Sequence, residues 1–238
     1  MNLTPLTINC QAPVNANYIN RNFDIVQCTL KKNSNEYNSI YKRAEELARL
    51  VNAGAANNAE FERNFKRRLV DSFGGLLAEY GWEKYINSKF GDIASPTPFT
   101  AASIQIDIQL ANGQRIEVRS SFPRKGVKFA LCNNYANFKN IGPYSNSVKP
   151  GEVQKNLYCA VLFDTQKEDL LNAETIILSL VGGSTWNMME SVGKNVSLTP
   201  YDDDSFAVLS TYRVVYLKDA LDAAQVINAI VDLGYNRI

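Results

Sequence analysis

Asp107 and Glu117 are the side chains in this sequence best spaced to act together, and they lie in the stretch IQIDIQLANGQRIEVR, residues 104–119. Two carboxylates set side by side can hold a hard divalent cation through their oxygens, and a cation held that way can activate water. Whether they meet depends on the elements that carry them. The stretch alternates apolar and polar residues on both sides of Ala111-Asn112-Gly113, which is the pattern of a β-hairpin. Ile104, Ile106 and Ile108 share one face of the first arm, and Ile116 and Val118 share one face of the second. A two-residue Asn-Gly turn would set Asp107 against Val118 and mix the faces, because a slip of one residue inverts a strand. A three-residue turn, with Gly113 in the left-handed region and a bulge beside it, sets Leu110 against Gln114 and so Asp107 against Glu117. Directly opposed carboxylates repel in an ordinary sheet. The register therefore asks for a cation between them.

Composition narrows the chemistry further. The 238 residues contain no histidine, which removes Ser-His-Asp and Cys-His nucleophile systems and histidine-bound metals together. A hydrolase built from this chain is left with a carboxylate-bound metal and water. The net charge is +1 and charged residues make up 21%, so a nucleic-acid surface would have to come from local patches. The apolar runs are too short to span a membrane, and the first residues lack the basic and apolar regions of a signal peptide. Cys10, Cys28, Cys132 and Cys159 are scattered without a Cys-x-x-Cys pair, so free thiols in a cytoplasmic protein are the simplest account.

Asp107, nine intervening residues and then Glu117-Val118-Arg119 resemble the Asp…(Asp/Glu)-x-Lys core of the restriction-endonuclease-like nuclease superfamily. The likeness covers the hairpin and, more loosely, residues 63–217. It departs from the family in two places: no proline precedes Asp107, and Arg119 stands where the family has lysine. The resemblance implies an α/β fold with a central mixed β-sheet flanked by helices, here with a helical N-terminal elaboration. It also implies a Mg²⁺ ion, replaceable by Mn²⁺, held by Asp107, Glu117 and the Val118 carbonyl. The family's glutamate on the preceding helix would correspond to Glu79, with Glu83 as a rival one turn later. In the family the lysine orients the attacking water. Arginine keeps the charge and can bind phosphate bidentately, but it cannot release a proton and has a different reach. Three outcomes stay open for Arg119: weak activity, help from Lys125 or Lys128 on the next strand, or an inactive descendant. The function implied is a metal-dependent DNA endonuclease of restriction type, a homodimer since two sites cut two strands. The alternative is a nuclease-like domain that binds DNA or a protein partner without cutting. A carboxylate enzyme acting on a substrate other than nucleic acid is a third option.

The elements around the hairpin are read from period and punctuation. Residues 1–22 read as an extended arm and 23–30 as a strand. A helix over 35–51 has Ser34 as its N-cap. A longer helix over 59–89 carries Phe61, Phe65, Leu69, Phe73 and Leu76 at helical steps, with Gly74-Gly75 marking a kink or a close approach. Residues 93–100, with two prolines, read as a rigid connector. Residues 127–131 read as a third strand and the Asn-rich 132–150 as a long loop. The apolar run 157–163 suits a strand buried on both faces. A helical turn at 167–171 is followed by a strand at 175–181 and a short helix at 185–191 capped by Ser184. Strands at 206–209 and 212–217 and a closing helix over 218–233 complete the chain, with 202–204 as a turn. The division expected is an N-terminal arm, strand and helix over 1–58 packing on a core of 59–238.

For contacts to nucleic acid the sequence offers Arg124, Lys125 and Lys128, with Arg63 and Lys66-Arg67-Arg68 elsewhere. Such cations can neutralise phosphates, although a solvated face is the commoner use of them. Asparagine reads adenine bidentately, which makes the 132–150 segment, led by Asn133 and Asn134, the candidate recognition loop. A polar loop over tucked aromatics is its plainer reading.

Overall fold

A computed structural model describes residues 1–10, 21–51, 63–99, 105–132, 138–145, 152–198 and 210–238. In chain order the first elements are β1 (Asn2–Cys10), β2 (Arg21–Lys31), α1 (Asn35–Leu50), α2 (Phe65–Phe90), β3 (Ala94–Pro96), β4 (Ile108–Leu110) and β5 (Arg115–Ser121). There follow α3 (Gly126–Cys132), β6 (Lys139–Ser145), β7 (Leu157–Phe163), β8 (Thr175–Thr185), α4 (Trp186–Ser191), β9 (Lys194–Leu198), β10 (Ser210–Tyr216) and α5 (Ala223–Asp232).

The all-apolar run of β7 dictates the layering. Its seven residues are all buried, because a strand with apolar groups on both faces needs cover on both. Leu157, Cys159, Val161 and Phe163 enter the larger core with residues of α1, α2 and α5. Tyr158, Ala160 and Leu162 enter a second core with residues of α3, α4 and β10. Around β7 the main sheet has the order β1-β2-β8-β7-β5-β4-β3, and β6-β10-β9 form a smaller sheet. The main sheet is mixed: β5 and β7 run parallel, and every other pairing in it is antiparallel. The protein is thus α/β with a mixed seven-stranded sheet.

The helices start where capping chemistry allows. Ser34 Oγ accepts from Tyr37 N at the head of α1, Asn64 Oδ1 from Arg67 N at α2, and Asp222 with Gln225 closes a capping box at α5. Each such cap contributes about 1 kcal/mol. α2 runs unbroken through Gly74-Gly75 and buries Phe73, Leu77, Trp82 and Ile86 over the sheet. Its partner α1 packs on it, with the Tyr37 and Phe73 rings edge-to-face at 5.2 Å.

Several elements differ from what the sequence suggests. Residues 127–131 belong to the helix α3, not to a strand; Val127, Ala130 and Leu131 are buried while Lys128 and Phe129 face out, which is a three-and-four spacing. The N-terminal arm is an edge strand, since β1 pairs antiparallel with β2 along its whole length. The proline-bearing connector holds β3, paired with β4. The 132–150 segment contains β6, and β9 had no counterpart in the sequence reading. β8 continues through Gly182-Gly183 to Thr185, which caps α4 in place of Ser184. The closing helix begins at Ala223. The strand read at 206–209 and the turn at 202–204 lie outside the described residues. Cys10 and Cys132 form a disulfide, correcting the free-thiol reading, while Cys28 and Cys159 are free and buried. Among the described residues no helix is long and apolar enough to cross a membrane.

Candidate functional site

The hairpin has the register of the three-residue turn. Ile108 pairs with Ile116 and Gln109 with Arg115. Leu110 N donates to Gln114 O at 2.8 Å, and Gly113 takes φ 85° in the turn. One step further along this register Asp107 stands opposite Glu117. Ile116 is buried in the larger core, so alternation turns Glu117 to the other face of β5, where its parallel neighbour on β7 is Tyr158. The ladder itself stops at Ile108. Asp107 Oδ2 turns instead to accept from Val118 N at 2.7 Å. Both carboxylates are nearly closed to solvent, with 9% of Asp107 and 4% of Glu117 exposed.

Two acids in one dry place cannot both ionise at the usual cost. Burial, and then the charge of Glu117, push the Asp107 carboxyl up to about 7, against the opposing pull of the Val118 N–H. Glu79, half-buried on α2, is the third member. Burial raises its carboxyl well above the usual range, and Asp107 adds more than Glu117 does. Glu83, raised by burial, lies on the solvent side with Arg43, whose charge works against the rise in both. The helix glutamate and the two hairpin acids therefore share one electrostatic environment.

Two cations enter the same cluster. Arg119 Nη2 lies 2.8 Å from Glu117 Oε1 and 2.9 Å from Glu152 Oε1. Lys155 Nζ lies 2.9 Å from Glu117 Oε2, and the lysine is only 1% exposed. That contact is close but poorly directed, so the buried Oε2 has no hydrogen-bond partner. Glu117 is therefore offset by two cations, Arg119 and Lys155, whereas Asp107 has an N–H and no salt bridge of its own among the described residues. Counting Glu79, Glu83, Asp107, Glu117 and Glu152 against Arg43, Arg119 and Lys155, full ionisation leaves a surplus of two negative charges.

Lys155 and Glu152 escaped the sequence reading because nothing local marks them. They sit in a short polar segment ahead of β7, and only the β5–β7 pairing brings them to Glu117. The cations that were considered lie elsewhere. Arg124 and Lys125 are exposed in the turn before α3, Lys125 Nζ stands 4.8 Å over the Phe129 ring, and Lys128 is exposed on α3. Lys125 and Lys128 thus sit on a turn and a helix, not on a neighbouring strand. Asn133 and Asn134 lie outside the described residues. Of the second basic group, Arg63 is buried against Asp71 at 2.8 Å while Lys66 and Arg67 are exposed.

A divalent metal fits this cluster in charge and donor type: hard oxygens, two surplus negative charges and a buried carboxylate oxygen without a hydrogen bond. Among the described residues no three acidic or thiol side chains are grouped closely enough to hold an ion, so the set would be Asp107, Glu117 and a backbone carbonyl, with Glu79 behind. Comparisons with protein-family models, curated proteins and solved structures find no match.

Proposed function

We propose that this chain is a restriction-endonuclease-like, Mg²⁺-dependent deoxyribonuclease whose metal ligands are Asp107, Glu117 and the Val118 carbonyl, with Glu79 as an outer carboxylate. The observation that carries this reading is the meeting of three carboxyls from a hairpin and a helix, with two negative charges left over. When bound, the ion would acidify a water and offset charge on the scissile phosphate, and Mn²⁺ would substitute for it. The chain's own residues prepare the place. Asp107 stays largely protonated near neutral pH until a cation competes for its oxygen. Arg119 and Glu152 brace Glu117 in a fixed direction. Arg124, Lys125 and Lys128, exposed just after the strand of Glu117, are placed to neutralise phosphates, with Asn133 and Asn134 as candidate base contacts. Within this reading the mixed sheet is the nuclease core, a homodimer cuts both strands, and the compartment is cytoplasmic.

The test is incubation of the protein with a mixed-sequence plasmid and Mg²⁺ or Mn²⁺. Cutting that Asp107→Ala and Glu117→Ala each abolish supports the proposal, and an uncut plasmid with either metal overturns it. One observation favours the second reading, a domain that binds DNA without cleaving: both oxygens of Glu117 already face cations. In that case a gel shift persists in a chelator and no ends appear.

A further inference from the structure

We infer that Lys155, arriving from the strand beside the hairpin, supplies the ammonium that faces the reacting phosphate, and that Arg119 is a positioning residue. This rests on the nuclease reading above and assigns a residue within it. Arg119 directs one nitrogen at Glu117 and Glu152 together, and the Glu152 side chain is fully buried. A guanidinium held between two carboxylates is a strut, since its planar fork has fixed directions. Lys155 differs in each respect. Its stem is buried, so the ammonium is delivered to one spot, 2.9 Å from Glu117 Oε2. Its bond there is poorly directed, and an ammonium with three rotatable donors can turn to a new acceptor without leaving Glu117.

The backbone fixes that delivery. β7 runs parallel to β5 with Tyr158 beside Glu117, and Lys155 N donates to Tyr158 Oη at 3.4 Å. Asn156 O accepts from Trp186 N at 3.0 Å, and Asn156 Oδ1 accepts from Arg115 N at 2.8 Å. The segment carrying Lys155 is therefore tied to both the hairpin and β8–α4. In the hydrolysis a water oxygen forms a bond to phosphorus, the bond from phosphorus to one sugar oxygen breaks, water loses a proton and the sugar oxygen gains one. Lys155 keeps its protons throughout and offsets charge on the phosphoryl oxygens.

The experiment compares Lys155→Arg, Lys155→Met and Arg119→Lys on plasmid DNA with Mn²⁺, alongside thermal melts and DNA binding. Lys155→Met removes a buried cation and puts folding at risk, so Lys155→Arg, which retains the charge, carries the decision. The expected result is a folded Lys155→Arg protein with DNA affinity within about threefold of the parent and a turnover lower by roughly 10²-fold, the usual effect of losing one placed donor. Arg119→Lys, by contrast, keeps turnover within about tenfold. A Lys155→Arg protein that cuts like the parent overturns the assignment while leaving the nuclease reading intact. A parent chain that cuts nothing overturns both.

Discussion

Asp107 is the residue whose chemistry is most exposed to test, because its proton and a metal ion compete for the same oxygen. Its carboxyl is pushed up to about 7 in the folded chain, whereas unfolding returns it to the ordinary range near 4. Between those values the folded chain holds a proton that the unfolded chain has lost. The contribution is therefore complete below pH ~4 and is lost as pH rises through ~7, and Glu79 acts in the same sense. Metal-free melts are expected to fall across that window by more than those of Asp107→Asn, which holds a neutral group at the same Val118 N–H. At pH 8 the Asn variant should melt several degrees above the parent; equal pH profiles would refute the assigned cause. The acid pair was legible in the sequence because alternation and one turn fix it. Lys155 was not, because a lysine's partner across parallel strands is set by a crossover that no local pattern encodes.

At the scale of elements, the strongest signals were those in which local and tertiary demands agree. β7 is apolar throughout and buried throughout, and α1 begins at the serine that its spacing indicates. α3 shows the opposite case. Five residues of Val-Lys-Phe-Ala-Leu satisfy either period, and burial of Val127, Ala130 and Leu131 together decides for helix. β8 was read as ending at its glycine pair, but the strand passes through it. Gly182 takes φ 124°, and a Cβ there would stand 1.9 Å from Leu221 O. Gly182→Ala is accordingly expected to cost about 2–4 kcal/mol, measured by denaturant unfolding; a loss under about 0.5 kcal/mol would contradict the packing described. The Cys10–Cys132 bond ties the end of β1 to the end of α3 across 122 residues. Reduction, or Cys132→Ser, should lower stability by about 2–4 kcal/mol and raise hydrogen exchange in α3 above that in β7. Uniform exchange would refute the view that this bond holds α3 in place.

For the whole molecule, a mixed sheet with helices over one face and a smaller sheet over the other accounts for how residues from 79 to 155 reach one buried cluster. The α/β class could be read from alternating strand and helix patterns, whereas the small sheet could not, because β6, β9 and β10 are short and pair only with each other. The account's central claim is that the two hairpin acids share a cation. Calorimetric titration of the metal-free protein with Mn²⁺ at pH 7.5 tests it most directly. The prediction is one ion bound per chain with release of protons, and loss of that binding in both Asp107→Ala and Glu117→Ala. No binding by the parent, or binding that survives both substitutions, would contradict it.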